Sequence, residues 1–99
     1  MKLEWGAFAL ADREALFEWI ARESPRESPR AAAIVDERIE TAVETLLAFP
    51  DRGRPGRIAG TREFLIAGTS CIAAYRVSGD TIRVLRLLHM AQMWPEGLP

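Results

Sequence analysis

The residues best suited to chemistry lie in the second half of the chain. Seven arginines there, Arg52, Arg54, Arg57, Arg62, Arg76, Arg83 and Arg86, precede the sole histidine, His89. A guanidinium presents a planar fork of donors that matches phosphate or carboxylate oxygens. An imidazole titrates within the physiological range and can take or give a proton. Tyr75 is the one tyrosine and Lys2 the one lysine. Cys71 is a lone cysteine, so it forms no internal disulfide, and no His or Cys lies at metal-ligand spacing from it; small core filler is its expected role. Gly53, Pro55 and Gly56 lack the following helix that a phosphate-binding loop requires. No cofactor and no metal is expected.

Charge is distributed unevenly along the chain. Residues 1–50 carry six basic groups against ten acidic ones, a net of −4, whereas residues 51–89 carry the seven arginines against Asp51, Glu63 and Asp80, a net of +4. A basic half following an acidic one suggests an anionic partner. The same pattern also arises if the arginines are solvated strand and loop positions that balance acidic helices, and composition alone leaves both readings open. At 99 residues and 48% hydrophobic composition, the chain is expected to form one domain over residues 1–99, with a single core and no separate regulatory domain. No run approaches the roughly 18 apolar residues of a membrane span, and Met1-Lys2-Leu3-Glu4 is not the start of a secretion signal, so a soluble cytoplasmic protein is expected.

The elements that must position these residues follow from periodicity. Lys2 to Trp5 fits a short strand, and after Gly6 the pattern becomes helical. Ala9, Leu16, Phe17, Trp19 and Ile20 fall on one side of a helix predicted over 7–23, with Glu14, Glu18 and Arg22 opposite. A second helix places Ile34 or Val35, Ile39, Ala42, Val43, Leu46 and Phe49 on one stripe and stops at Pro50. Between the helices lies a tandem repeat, Arg22-Glu23-Ser24-Pro25 and Arg26-Glu27-Ser28-Pro29. Each copy offers a serine cap with proline in the first helical position. A start at Ser24 would bury Pro29 in the second turn, where it removes a hydrogen bond and clashes, so Ser28 is the expected cap and the repeat a lengthened loop.

Residues 51–60 are too rich in Gly, Pro and Arg for regular structure and read as an exposed basic loop. Strands are predicted over 61–67, 71–77 and 81–89, separated by Gly68-Thr69-Ser70 and Ser78-Gly79-Asp80. The economical packing is α+β: two layers in the order β-α-α-β-β-β, an antiparallel helical hairpin covering one face of a sheet that contains a three-stranded antiparallel meander. The other face is expected to stay open. There, alternation groups Arg62, Phe64 and Ile66 on one strand and Ile72, Ala74 and Arg76 on the next. Arg83 and Arg86, three apart, share a face only if a bulge interrupts the last strand near Leu85.

Taken in order, Gly53-Arg54-Pro55-Gly56-Arg57, Gly60-Thr61-Arg62-Glu63, Tyr75-Arg76-Val77 and Ile82-Arg83-Val84-Leu85-Arg86-Leu87-Leu88-His89 resemble the RelE/ParE superfamily of toxins, particularly the ParE-like branch. Ala11-Asp12, Trp19-Ile20-Ala21, Leu47-Ala48-Phe49-Pro50 and Ala91-Gln92-Met93-Trp94-Pro95 fit the same likeness, which spans the whole chain. The resemblance implies the toxin of a type II toxin–antitoxin module of the plasmid-stabilization kind, neutralised by a ParD-like antitoxin from an adjacent gene. The antitoxin's flexible segment would fold onto hairpin and sheet, with Trp5, Trp19 and Met93 as candidate contacts.

Relatives in the superfamily act on two targets. A ParE-like poison of DNA gyrase, not an enzyme, would use Arg62, Arg83, Arg86, His89 and Trp94 as target contacts and cause growth arrest. A RelE-like, ribosome-dependent mRNA endoribonuclease would activate a ribose 2′-hydroxyl, with Arg62 on the phosphate and His89 moving the proton. The residue after His89 is Met90, where some nucleases carry tyrosine, and the basic loop has no lysine pair, which favours the gyrase reading. A third possibility is an inactive relative that only binds antitoxin.

Overall fold

The computed structural model describes residues 1–23, 28–90 and 94–99. Strand β1 (Lys2–Trp5) leads into helix α1 (Ala7–Glu18), extended by a π-helical turn over Trp19–Glu23. Helix α2 (Pro29–Glu44) tightens into a 3-10 turn over Thr45–Leu47, and strands β2 (Arg54–Pro55), β3 (Arg62–Leu65), β4 (Cys71–Ser78) and β5 (Thr81–His89) follow. The sheet is mixed, in the order β1-β5-β4-β3-β2, with β1 parallel to β5 and every other pair antiparallel.

Ser28 caps α2 as its spacing predicts: its backbone is extended, its hydroxyl accepts from the Ala31 N–H at 3.2 Å, and Pro29 occupies the first turn. The first copy of the repeat, from Ser24, and Arg26 and Glu27 lie outside the described residues. Ala32, Ile39, Val43 and Leu46 form the buried stripe of α2. Phe49, expected on that stripe, is 63% exposed. The 3-10 turn advances three residues per turn rather than 3.6 and so carries Phe49 out of phase with the core. Trp19, expected on the buried side of α1, is likewise exposed, at the residue where the backbone widens to π geometry. Arg13 ties the helices together, reaching Asp36 at 2.9 Å and Glu40 at 3.5 Å.

The core lies between hairpin and sheet: Ala9, Ile39, Val43 and Leu46 meet Ile66, Cys71, Ala73, Tyr75, Ile82, Val84 and Leu87. Register corrects the expected grouping on the sheet. Arg62 and Phe64 pair with Tyr75 and Ala73, and directly opposed residues share a face. Arg62, Phe64 and Ile66 therefore lie on the helix side, whereas Ile72, Ala74 and Arg76 face away with Glu63 and Leu65. That outer face is not bare. Ile72, Ala74, Leu85 and Leu88 are at most 5% exposed, Trp94 lies against Arg57, and Pro99 borders Arg76, Arg83 and Leu85.

The bulge falls at Leu85, because Ala74 pairs with Arg86 and Tyr75 with Val84, leaving Leu85 unmatched. With it the register sets Arg86, opposite Ala74, on the same outer face as Arg83, opposite Arg76, although the Arg86 guanidinium turns to Asp12 on α1 rather than standing free beside Arg83. The basic loop holds one regular piece that composition did not suggest. Arg54 and Pro55 pair with Glu63 and Arg62, and proline is tolerated there because β2 is an edge strand with no further neighbour to donate to.

Candidate functional site

Tyr75 organises the basic loop. Its ring is fully buried, its hydroxyl donates to the Pro50 carbonyl at 2.6 Å, and it accepts from the Gly53 N–H at 3.0 Å. One side chain thus joins the end of the α2 segment to the start of β2. Burial pushes the phenol pKa above its ordinary 10.0, against the Gly53 hydrogen bond and the Arg62 charge, which lower it. Gly53 is required by this approach: a Cβ there would stand 2.7 Å from the Tyr75 ring.

Arg62 completes the clamp. Its Nη1 donates to the Gly53 carbonyl at 2.6 Å and the Asp51 carbonyl at 3.3 Å, and its Nη2 lies 3.5 Å from the Asp51 carboxylate. Next to it on β3, and on the opposite face of the sheet, Glu63 is a buried carboxylate that sequence reasoning did not single out. It accepts from Arg54 at 3.1 Å and from the backbone N–H of Arg57 at 2.8 Å, with Arg57 Nε at 3.3 Å. A buried carboxylate is costly unless its lone pairs are filled, and here the loop's own arginines fill them. Arg57 also stacks on Trp94, 3.7 Å from the ring centroid, a cation–π contact that pins the C-terminal segment. The Trp94 indole N–H is buried with no hydrogen-bond partner among the described residues. The signal for this network was thin: an acid at 63 among arginines at 54, 57 and 62.

The remaining candidates are dispersed. Arg83 pairs with Glu4 at 3.1 Å. Arg86 makes a two-pronged bond to Asp12, 2.7 and 3.0 Å, which raises its pKa further, and the same carboxylate accepts the Leu87 N–H at 2.9 Å. β1 stops pairing at Val84, so Asp12 satisfies an edge donor that the strand leaves behind. His89 is exposed at the end of β5, opposite Cys71, beside a cleft lined by Asp12, Leu16 and Leu87. Burial raises the Cys71 thiol pKa above 9.0, outweighing a hydrogen bond with Thr69.

Arg62 and His89 are not brought together. Arg62 pairs with Tyr75 and His89 with Cys71, so they sit on strands flanking β4 and four residues apart along it. That is about 13 Å along the strands and about 10 Å across them, or roughly 16 Å between Cα atoms. Of the apolar candidates, Trp5 is half-buried beneath the Arg13 guanidinium, 4.5 Å from its ring centroid, Trp19 is 48% exposed on the hairpin, and Met93 lies outside the described residues. Phe8, Leu10 and Ile34 are also exposed on the helices. Among the described residues there is no group of three or more His, Cys, Asp or Glu arranged to hold a metal ion, and no helix is long and apolar enough to cross a membrane.

A two-helix hairpin on a mixed sheet is the architecture expected from the resemblance to the RelE/ParE toxins, and comparison with known proteins agrees. Residues 3–94 match the family described as ParE toxin of type II toxin–antitoxin system, parDE. The chain is 38% identical over 97 residues to "Putative toxin Y4kP" of Sinorhizobium fredii, covering 98% of this chain and 96% of that one. It is 29% identical over 89 residues to toxin RelE2 of Caulobacter vibrioides, covering 90% and 94%. A solved structure of the chromosomal ParDE toxin–antitoxin system from P. aeruginosa superimposes with a TM-score of 0.78 at 27% identity, over 90% of this chain and 95% of that chain. The chain belongs to the ParE toxin family. It is the toxin component of a ParDE-type toxin–antitoxin system, and membership implies an antitoxin partner.

Proposed function

We propose that this toxin is a poison of DNA gyrase that acts by binding rather than by catalysis, and that a ParD-like antitoxin from the adjacent gene neutralises it. The observation that carries the reading is the separation of Arg62 from His89. A general base must lie within hydrogen-bond reach of the proton it takes, and the phosphate it serves must lie against the cation that stabilises it. Arg62 is instead committed to the Asp51–Gly53 backbone at the far end of β3. Membership of the ParE family supports the same target. Exposed Phe8, Trp19 and Ile34 on the hairpin supply an apolar surface for the antitoxin, of the kind an amphipathic segment covers as it folds.

The test is induction of the toxin alone in a bacterial host, scoring growth together with gyrase-dependent chromosome breaks and ribosome-positioned messenger cuts. Growth arrest with breaks and without cuts is expected. Cuts without breaks would transfer the function to an endoribonuclease, and normal growth with soluble expression would leave an antitoxin-binding protein that harms neither target in that host.

A further inference from the structure

The outer face of the sheet carries a pair of cations that neither the loop clamp nor the Asp12 bond uses. Arg76 on β4 and Arg83 on β5 stand directly opposite one another in the ladder, and both are exposed. Like charges directly opposed on neighbouring strands destabilise a sheet, so this pair works against folding. The same register holds their Cβ atoms about 4.5–5.5 Å apart, close enough for both guanidinium forks to converge on one small anion. Arg83 commits Nη1 to Glu4, leaving its other donors available, and among the described residues Arg76 has neither an ion pair nor a hydrogen bond. Ser78 and Thr81, the next register pair on this face, line the same cleft.

We infer that this cleft binds a phosphodiester and is the toxin's point of contact with DNA held by its target; the assignment of that DNA rests on the gyrase reading above. Donors on two strands flank the cleft. A tetrahedral phosphate can turn oxygens toward both forks at once. Residues 51–89 carry a net of +4, and the exposed apolar side chains Phe8, Trp19 and Ile34 lie on the helices rather than here, so the cleft suits nucleic acid better than an acidic peptide.

The experiment is fluorescence anisotropy of a labelled DNA duplex titrated with purified toxin across a range of salt concentrations. The doubly substituted toxin, Arg76→Gln with Arg83→Gln, is expected to lose at least tenfold in affinity, and its plot of log K against log salt to become shallower by about 1.8, two phosphate contacts at about 0.9 each. Arg76→Gln alone, which breaks no contact, makes the slope shallower by about 0.9 and keeps the test valid should the double variant fold poorly. Glu4→Gln, which frees Arg83, tightens binding, and Arg30→Gln, which removes an exposed charge from α2, leaves the slope unchanged. No duplex binding by the unaltered toxin, an unchanged slope in both Arg76 variants, or an equal loss in Arg30→Gln overturns the site. So does a double variant that keeps its DNA affinity but loses antitoxin affinity, which would make the cleft a peptide site. Cleavage assays with purified gyrase separate the two readings. Unaltered toxin that binds duplex through this pair yet traps no breaks leaves the site standing and removes the target. Breaks trapped equally by unaltered and double-variant toxin remove the site and leave the target.

Discussion

Tyr75 shows how much one buried hydroxyl can organise. Tyr75→Phe keeps the ring but leaves the Gly53 N–H and the Pro50 carbonyl without their partner, at an expected cost of about 1–3 kcal/mol, measurable by urea unfolding. Its pKa is raised in the folded protein, so below pH 10 both folded and unfolded chains keep the proton and stability is unaffected. As pH climbs past 10 the unfolded chain ionises first, and stability falls until the folded phenol ionises too. In a Cys71→Ala background, which removes the other upshifted acid, stability is therefore expected to decline with pH above about 10, and the further change Tyr75→Phe to flatten that decline. Since Tyr75 is the one tyrosine, phenolate absorbance reports on it alone. A decline of equal slope without the hydroxyl would refute the assignment. At Asp12, substitution by alanine orphans both the Arg86 fork and the Leu87 N–H, so it should cost about 2 kcal/mol and exceed the cost of Arg86→Met in the same unfolding assay.

At the scale of elements, the changes in helix geometry decide which apolar side chains count. Leu46→Ala empties a site with no solvent exposure and is expected to destabilise by about 2–5 kcal/mol, whereas Phe49→Ala, three residues on and 63% exposed, should stay within about 0.5 kcal/mol; thermal melts of the two variants distinguish them. Local rules made several elements legible in the sequence. A proline excluded from the second helical turn selected Ser28 over Ser24, and two arginines three apart made a bulge near Leu85 the condition for their sharing a face, a condition the structure meets. What local rules could not supply was register. Whether Arg62 shares a face with Tyr75 or with Ile72 depends on which residues stand opposite across β3 and β4, and alternation within each strand is silent on it. The Glu63 network was hidden for the same reason: it exists because β2 closes against β3, a pairing of two residues too short to leave a periodic trace. Arg62 and Arg86, read as contacts for a partner, are held by Asp51 and Asp12, acids distant enough in sequence to give no warning.

For the molecule as a whole, the two sides differ in character. The helices expose Phe8, Leu10, Trp19 and Ile34, and the far side of the sheet carries Arg76 and Arg83. Trp19→Asp places a charge among the exposed apolar side chains of the hairpin, and tryptophan anchors typically contribute at least about 2 kcal/mol to an interface. The expected result is a loss of roughly 30-fold or more in antitoxin affinity by calorimetry, with growth arrest on induction preserved. Arrest abolished along with antitoxin binding would mean that one surface serves both partners.

The pairing of β1 with β5 also sets when the protein comes into being. β1 is an edge strand whose one neighbour is the last strand among the described residues, and the Glu4–Arg83 bridge between them spans 79 residues. During translation the first strand therefore waits, without a sheet to join, until β5 has been made and has cleared the ribosome. A chain cut short by premature termination has no β5 for β1 and α1 to pack on. The fold is thus a property of copies in which β5 has been made, and the interval of synthesis gives an antitoxin time to be present before there is a folded partner to bind.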